Sequence, residues 1–245
     1  MKRFPDKRIF ILACLNATLY VPVVVIDTLR AVYHVAPALG LACDAFKYSA
    51  IISCLLICVF AFSDSGARTP RLQTIVFCFT LAADFFLLFT PYFAAGVFAF
   101  LGAHLCALIR YKPRRALPTG LCAAAAFVLV LLLTTRGLRL DAGLSLVASV
   151  CVAYAILIIS VTVSTFYAPQ PRVNTLFSRV GMCLFLACDI NVAIFNAMPA
   201  GLPLHTASIV LMWFFYLPAQ TLLALSACNW DTEMRQSHAE IGNKP

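Results

Sequence analysis

Apolar residues run through this chain in long blocks, without the two-residue alternation that marks a half-buried strand. Eight blocks emerge, at approximately residues 9–29, 43–62, 72–90, 92–111, 116–135, 142–167, 175–197 and 204–228. Breakers and charges separate most of them: Ser63 to Arg71, Thr90-Pro91, Lys112 to Arg115, Arg136 to Asp141, Ala168 to Arg172, and Met198 to Pro203. A helix needs roughly 20 apolar residues to cross a hydrocarbon core about 30 Å thick, and each block is close to that length. Strand spans are excluded by the length of the runs. The pattern predicts an all-α polytopic membrane protein, an eight-helix transmembrane bundle. It is expected as a single domain over residues 1–230, followed by a polar cytoplasmic tail over 231–245.

Composition agrees. Of the 245 residues, 62% are hydrophobic and 11% charged, with a mean hydropathy of +0.93. Soluble domains carry about 25% charged residues. No soluble core of this size buries so much apolar surface, which excludes a cytosolic enzyme, a disordered chain, a secreted disulfide scaffold and a nucleic-acid binder. The 11 cysteines sit almost entirely inside apolar runs and read as small buried apolar side chains rather than a disulfide framework. The first run follows Lys2, Arg3, Lys7 and Arg8 as a signal peptide would, but lacks a clean cleavage site and reads as a retained span.

The net charge of +8 is explained by topology. Alternate connections, starting from the N-terminus, hold Lys2, Arg3, Lys7, Arg8, Arg68, Arg71, Arg110, Lys112, Arg114, Arg115, Arg172, Arg179, Arg235 and Lys244. The opposite side holds Arg30, Lys47, Arg136 and Arg139. Positively charged loops stay in the cytoplasm, so both termini are expected there, in a bacterial inner membrane or the endoplasmic reticulum. An odd number of spans destroys the split. A faint repeat pairs Leu81-Ala82-Ala83-Asp84 with Leu186-Ala187-Cys188-Asp189, and the His104 segment with the Gln220 segment, four spans apart. A parallel 4+4 repeat of this kind sets Asp84 opposite Asp189 and His104 opposite Gln220.

Ionisable groups within hydrocarbon cost several kcal/mol and are functional candidates by default. Here they are Asp27, Asp44, Lys47, Asp84, His104 and Asp189. Asp84 and Asp189 lie about 18 and 21 Å along their helices from the cytoplasmic face, at 1.5 Å per residue. Lys47 lies about 6 Å, and His104 and Tyr216 about 18 Å, in from the outer face by the same rise. All five fall in one slab about 12 Å thick. Two aspartates sharing such a slab with one lysine leave one carboxyl uncompensated, and charge balance keeps that one protonated. A protonated carboxyl beside an ionised carboxylate is the equipment of general acid–base chemistry. The bland alternative is a buried Lys–Asp pair and a helix-bridging Asp that only fix packing.

The remaining polar groups read more simply. Asp44, three residues before Lys47, fits a helix-surface ion pair, and Asp27 fits a solvated position near the outer mouth. His104 alone also fits a helix–helix hydrogen bond. The Arg110–Arg115 cluster is topological, with an attraction for phospholipid headgroups. Asn16-Ala17-Thr18 matches a glycosylation sequon but lies inside a span. A zinc site from His34, His104 and His205 would have to bridge very different depths, so no metal is expected.

Several short stretches resemble the lysoplasmalogenase family, the YhhN-type integral membrane proteins. They are Phe46-Lys47; Leu81 to Leu88, with Asp84; Gly96 to His104; Val152-Ala153-Tyr154-Ala155; Gly181 to Asp189; and Tyr216 to Ser226. They span about residues 43–228 in consistent order. Tyr48, Ala83, Cys188 and Ala107 stand where the family usually has proline, glycine, serine and tyrosine.

The resemblance implies hydrolysis of the vinyl-ether bond of lysoplasmalogens to a fatty aldehyde and a glycerophospho-headgroup, with no cofactor. Its partners are then a lysophospholipid with one long chain and the lipid bilayer. In that reading Asp84 and Asp189 form the catalytic pair, and Lys47, His104, Tyr216 and Gln220 bind substrate. The alternatives are a small proton-coupled transporter, whose midplane carboxylates carry protons, and a non-catalytic lipid-binding membrane protein.

Overall fold

The computed structural model describes residues 6–33, 37–168 and 170–230. Among these residues are eight helices: α1 (Lys7–Tyr33), α2 (Pro37–Ser65), α3 (Arg68–Phe89), α4 (Phe93–Tyr111), α5 (Pro113–Leu132), α6 (Ala142–Tyr167), α7 (Arg172–Ala197) and α8 (Pro203–Leu225). A π-turn, Leu133–Gly137, continues α5. All eight helices are long and apolar enough to cross a membrane, and no strand occurs among the described residues. The eight-helix, all-α membrane architecture read from the hydropathy pattern is therefore the observed one. The tail at 231–245, with His238, and the loop residue His34 lie outside the described residues.

Four helices, α1, α2, α3 and α7, are longer than their apolar blocks. α1 begins at Lys7, where the Asp6 carboxylate accepts the backbone N–H of Arg8 at 3.0 Å, a typical N-cap arrangement. That backbone bond holds the Asp6 carboxyl below its ordinary range, and the Arg8 side chain adds to the effect. At the start of α6, Asp141 accepts the N–H of Leu144 at 3.0 Å.

The chain divides into two compact units, which do not coincide with the halves α1–α4 and α5–α8 that a 4+4 repeat would define. One unit comprises α1, α2, α7 and α8. In it α7 packs along α8, α1 along α2, and both α1 and α2 touch α8. Pro218 lies inside α8 and offers no N–H to the carbonyl of Phe214. The Tyr20 hydroxyl of α1 donates to that carbonyl at 3.2 Å, tying the helices together. At the far end of α8, the Asn174 amide donates to the carbonyls of Ser226 and Cys228 at 2.8 and 2.7 Å, which the helix end leaves open. Gly181 allows α7 to approach α8: a Cβ there would meet Leu223 Cγ at 2.9 Å and the Ala219 carbonyl at 3.2 Å.

The second unit comprises α3 from Leu72 onward, α4, α5, the π-turn and α6. α6 buries a stripe of small residues, Ser145, Ser149 and Ala153, followed by Leu157 and Val161. The four-residue spacing keeps them on one face, and small side chains permit close helix approach, the main source of packing energy in a bilayer. Ala123 of α5 joins Ala153 and Leu157 in one cluster, flanked by Leu101, Phe127 and Ile156.

All 11 cysteines are free. The expectation that they are buried holds for Cys43, Cys54, Cys58, Cys188 and Cys228 but fails for Cys14, Cys78, Cys122 and Cys183, which are exposed. Their thiols are apolar enough for lipid-facing helix flanks, so apolar context in the sequence did not distinguish packing against protein from an outward face.

Candidate functional site

In the first unit, charged side chains gather where the C-terminal end of α1 meets the N-terminal end of α2. Lys47 Nζ donates to Asp27 Oδ1 at 2.9 Å and to Asp44 Oδ1 at 3.2 Å. It also lies 4.2 Å from the centre of the Trp213 ring of α8, a cation–π contact. Lys47 and Asp27 are buried, 3% and 2% exposed. Arg30 Nη1 reaches Asp44 Oδ1 at 3.3 Å and Asp27 Oδ1 at 3.7 Å. The Cys43 thiol lies 3.5 Å from the same Asp27 oxygen. Two carboxylates and two cations thus balance in one cluster.

This arrangement overturns two readings. Asp27 is not solvated at a mouth but fully buried against Lys47. Asp44 does pair with Lys47, but as part of a four-residue network in which Lys47 and Asp27 are buried and Asp44 and Arg30 are partly exposed. Lys47 has three N–H donors, and two carboxylates and an aromatic face surround it. Its direct ion partners are Asp27 and Asp44.

The aromatic wall continues along α8. Trp213 packs edge-on against Tyr216 at 5.3 Å, and Tyr216 against Phe185 of α7 at 5.5 Å. One turn further along α8, Gln220 is 2% exposed, and its Nε2 is buried without a hydrogen-bond partner among the described residues. Asp189 follows Phe185 by one turn of α7 and is half-buried. A separate polar network joins Asn16, Ser53, Cys54 and Thr221: the Ser53 hydroxyl donates to Asn16 Oδ1 at 2.5 Å, and the Asn16 amide reaches Cys54 Sγ at 3.1 Å and Thr221 Oγ1 at 3.4 Å. His205 packs on Phe195, with ring centres 4.6 Å apart.

The second unit carries Asp84 and His104. Asp84 is 3% exposed on α3. It follows Ala83, whose carbonyl lies 3.2 Å from where a Cβ on Gly96 would stand. The close approach of α3 and α4 thus lies beside the backbone that presents Asp84. His104 of α4 is 2% exposed, and its Nε2 hydrogen-bonds the Tyr154 hydroxyl of α6 at 3.1 Å. Phe100, one turn before His104, completes an aromatic group with both, its ring centre 6.4 Å from His104 and 6.2 Å from Tyr154.

Of the six residues singled out from the sequence, Lys47, Asp189, Tyr216 and Gln220 therefore belong to the first unit, and Asp84 and His104 to the second. The sequence reading missed Asp27, Arg30, Trp213 and Tyr154 as site neighbours. α1 and α2 are joined by a short connection, Tyr33 to Pro37, and residues equidistant from its midpoint face each other in such a hairpin. That rule sets Arg30 by Gly40 and Asp27 by Cys43, the neighbours observed.

Neither a curated protein nor a solved structure matches the chain. A family model, described as the YhhN family, matches residues 44–227. The matched stretch contains Lys47, Asp84, His104, Asp189, Tyr216 and Gln220, and begins after Asp27 and Arg30. Because it covers well over half of an eight-helix membrane chain whose buried ionisable residues fall largely inside it, the chain belongs to the YhhN family, the family of lysoplasmalogenases.

Proposed function

We propose that this protein is a membrane-embedded hydrolase that cleaves the vinyl-ether bond of a lysoplasmalogen, releasing a fatty aldehyde and a glycerophospho-headgroup. The observation that carries the reading is the family match over residues 44–227, which takes in all six candidate residues.

Vinyl ethers resist base and nucleophiles but yield to acid. A proton added to the β-carbon gives an oxocarbenium ion. Water adds at the α-carbon, and the hemiacetal collapses to aldehyde and the glycerol hydroxyl. The reaction needs a proton donor, a carboxylate that stabilises the cation and guides water, and room for an alkyl chain. Asp84 and Asp189 are the proposed acid and carboxylate. His104 and Tyr216 are proposed to orient water or glycerol hydroxyls, with Gln220 hydrogen-bonding beside them. Lys47 contributes to substrate binding through the carboxylates it holds. Both termini are proposed to face the cytoplasm, and reporter fusions that put them on opposite faces would refute that topology.

Purified protein in detergent is expected to release long-chain aldehyde from a lysoplasmalogen without any ion gradient. Clean absence of aldehyde across pH and headgroups would refute the hydrolase and favour a transporter or a lipid-binding protein.

A further inference from the structure

In the second unit, the corner between α4 and α5 carries four cations: Arg110, Lys112, Arg114 and Arg115. Lys112 alone joins the two helices. Its N–H donates to the Leu108 carbonyl at 2.7 Å, and its own carbonyl accepts the Arg115 N–H at 2.9 Å. Pro113 opens α5 with its backbone angle already set. The charges therefore ride on a rigid frame. Arg110, in the last turn of α4, is braced as well. Its Nη1 donates to Gln73 Oε1 of α3 at 2.5 Å and to the Tyr111 hydroxyl at 3.0 Å. Its guanidinium carbon lies 4.8 Å from the centre of the Tyr111 ring. Gln73 and Tyr111 are buried and neutral, so they fix the guanidinium without cancelling its charge.

Arg8 pairs with Asp6 and Asp64, and Lys47 and Arg30 with Asp27 and Asp44. The α4–α5 corner is different. Lys112, Arg114 and Arg115 form no ion pair among the described residues. The first turn of α5 has no acidic residue, and its N-cap makes no side-chain hydrogen bond, so the positive end of the helix dipole adds to the field. The acidic residues of the second unit are Asp84 and Asp141. Asp84 lies about 16 Å further along α3 than Gln73, at 1.5 Å per residue, and Asp141 caps α6 beyond the opposite end of α5. Below the charges runs an apolar stripe. Leu117, Leu121, Val128 and Leu132 of α5 are exposed, and their helical spacing puts them on the flank that also carries Arg114. An unbalanced cluster of cations suits a ligand of net negative charge, and the stripe suits an acyl chain. A soluble anion uses the first feature alone, and a zwitterionic lipid leaves the charge unbalanced.

We propose that Arg110, Lys112, Arg114 and Arg115 form a binding site for an anionic bilayer phospholipid, with its phosphate at the α4–α5 corner and one acyl chain along Leu117 and Leu121. Basic pockets at the membrane face between spanning helices hold anionic headgroups in this way. The lipid is a structural ligand and not a substrate. It clamps the adjoining ends of α4 and α5, and through the Arg110–Gln73 bond it steadies α3 as well. The site goes beyond the proposed hydrolysis and does not depend on it.

The test titrates the purified full chain, in a neutral detergent, with phosphatidylglycerol, phosphatidylcholine or inorganic phosphate. Native mass spectrometry reads lipid retention, and circular dichroism reads the melting temperature. Wild type is expected to bind phosphatidylglycerol at least about tenfold more tightly than phosphatidylcholine, and to melt higher with it, since each cation near an anionic lipid contributes about fivefold. Arg114→Gln/Arg115→Gln is expected to weaken phosphatidylglycerol at least about tenfold on the same scale and to remove the melting shift. Phosphatidylcholine binding should not change. Arg136→Gln/Arg139→Gln removes the same charge from the other end of α5, about 30 Å away at 1.5 Å per residue, and is expected to keep wild-type affinity. If the Arg114/Arg115 double variant does not fold, Arg114→Gln alone is expected to lose about fivefold. Equal binding of the two lipids by wild type overturns the site. So does unchanged affinity in a folded Arg114 variant. Equal losses in the two double variants would mark net charge rather than a site, and displacement of the lipid by inorganic phosphate alone would mark an ion site; either result also overturns the proposal.

Discussion

Lys47 of α2 donates to Asp27 of α1 at 2.9 Å, with both side chains almost wholly buried. Asp27 precedes the family-matched stretch that contains Lys47, so the partner of a family-range lysine comes from the first helix. Removing one member of a buried pair leaves an uncompensated charge and typically costs about 3–5 kcal/mol, whereas replacing both is often near neutral. Lys47→Met is therefore expected to destabilise the protein on that scale, since it leaves buried Asp27 with Arg30, at 3.7 Å, as its nearest cation. Asp27→Asn should cost less, because Asp44 and the Trp213 face still hold the ammonium. The double variant leaves Arg30 paired with Asp44 and should lose clearly less than the two single losses added together. Denaturant unfolding in micelles reads all three, and strict additivity would refute the coupling.

The proposed acid–base pair gives a sharper expectation. Asp84→Asn and Asp189→Asn are nearly isosteric, and loss of a general acid or base costs about 10²–10⁴-fold. Each variant should lower aldehyde release at least about 100-fold on that scale, with melting temperature little changed. A well-folded Asn variant with near-native turnover would rule out its aspartate as a catalytic group. Loss of folding in both would instead return them to a packing role.

Tyr154 offers a milder test. Its hydroxyl meets His104 Nε2 at 3.1 Å, and hydrogen bonds between membrane helices average about 0.6 kcal/mol. Tyr154→Phe keeps the ring contacts with Phe100 and His104, so the stability loss should stay near that value. If His104 orients water or substrate, turnover should fall by more than the stability loss accounts for. Equal, small changes in both would assign the bond to helix packing alone.

The fold was legible because hydropathy reports span length directly: each apolar block is near a bilayer thickness, and the eight helices follow. The contacts between helices were not. Asp27 and Arg30 are ordinary residues at the end of an apolar block until the short α1–α2 connection puts Asp27 against Cys43 and Lys47, and Arg30 against Asp44 and Gly40. Hydropathy treated Asp27 by its nearness to a span end and so assigned it to water, whereas the lysine opposite determines its burial. Trp213 and Tyr154 were hidden for another reason. An aromatic residue in a span is unremarkable by composition, and only its neighbour, an ammonium at 4.2 Å or an imidazole at 3.1 Å, gives it a role. The Tyr20–Phe214 bond was readable in half: Pro218 announces an open carbonyl four residues earlier, but nothing in the sequence names the donor.

Gly96 tests whether the α3–α4 contact serves Asp84 or only packing. A Cβ at position 96 would stand 2.6 Å from Leu87 Cγ and 3.2 Å from the Ala83 carbonyl, which belongs to the peptide bond that leads into Asp84. These two obstacles differ in kind. Leu87 is a flexible side chain at the surface of its unit, 36% exposed, and can rotate away. The carbonyl is helix backbone and moves only with α3. Overpacking of this sort typically costs about 1–3 kcal/mol, so Gly96→Ala should lower the melting temperature visibly. Leu87→Ala added to it removes the nearer obstacle and should restore most of that stability. The backbone pressure beside Asp84 persists in the double variant, and misplacing a catalytic group by about 1 Å can cost roughly 100-fold in rate. Turnover should therefore recover less than stability does. Full recovery of both in Gly96→Ala/Leu87→Ala would show that the contact sets helix spacing without positioning Asp84, and a wild-type-like Gly96→Ala would show that the close approach is not needed at all.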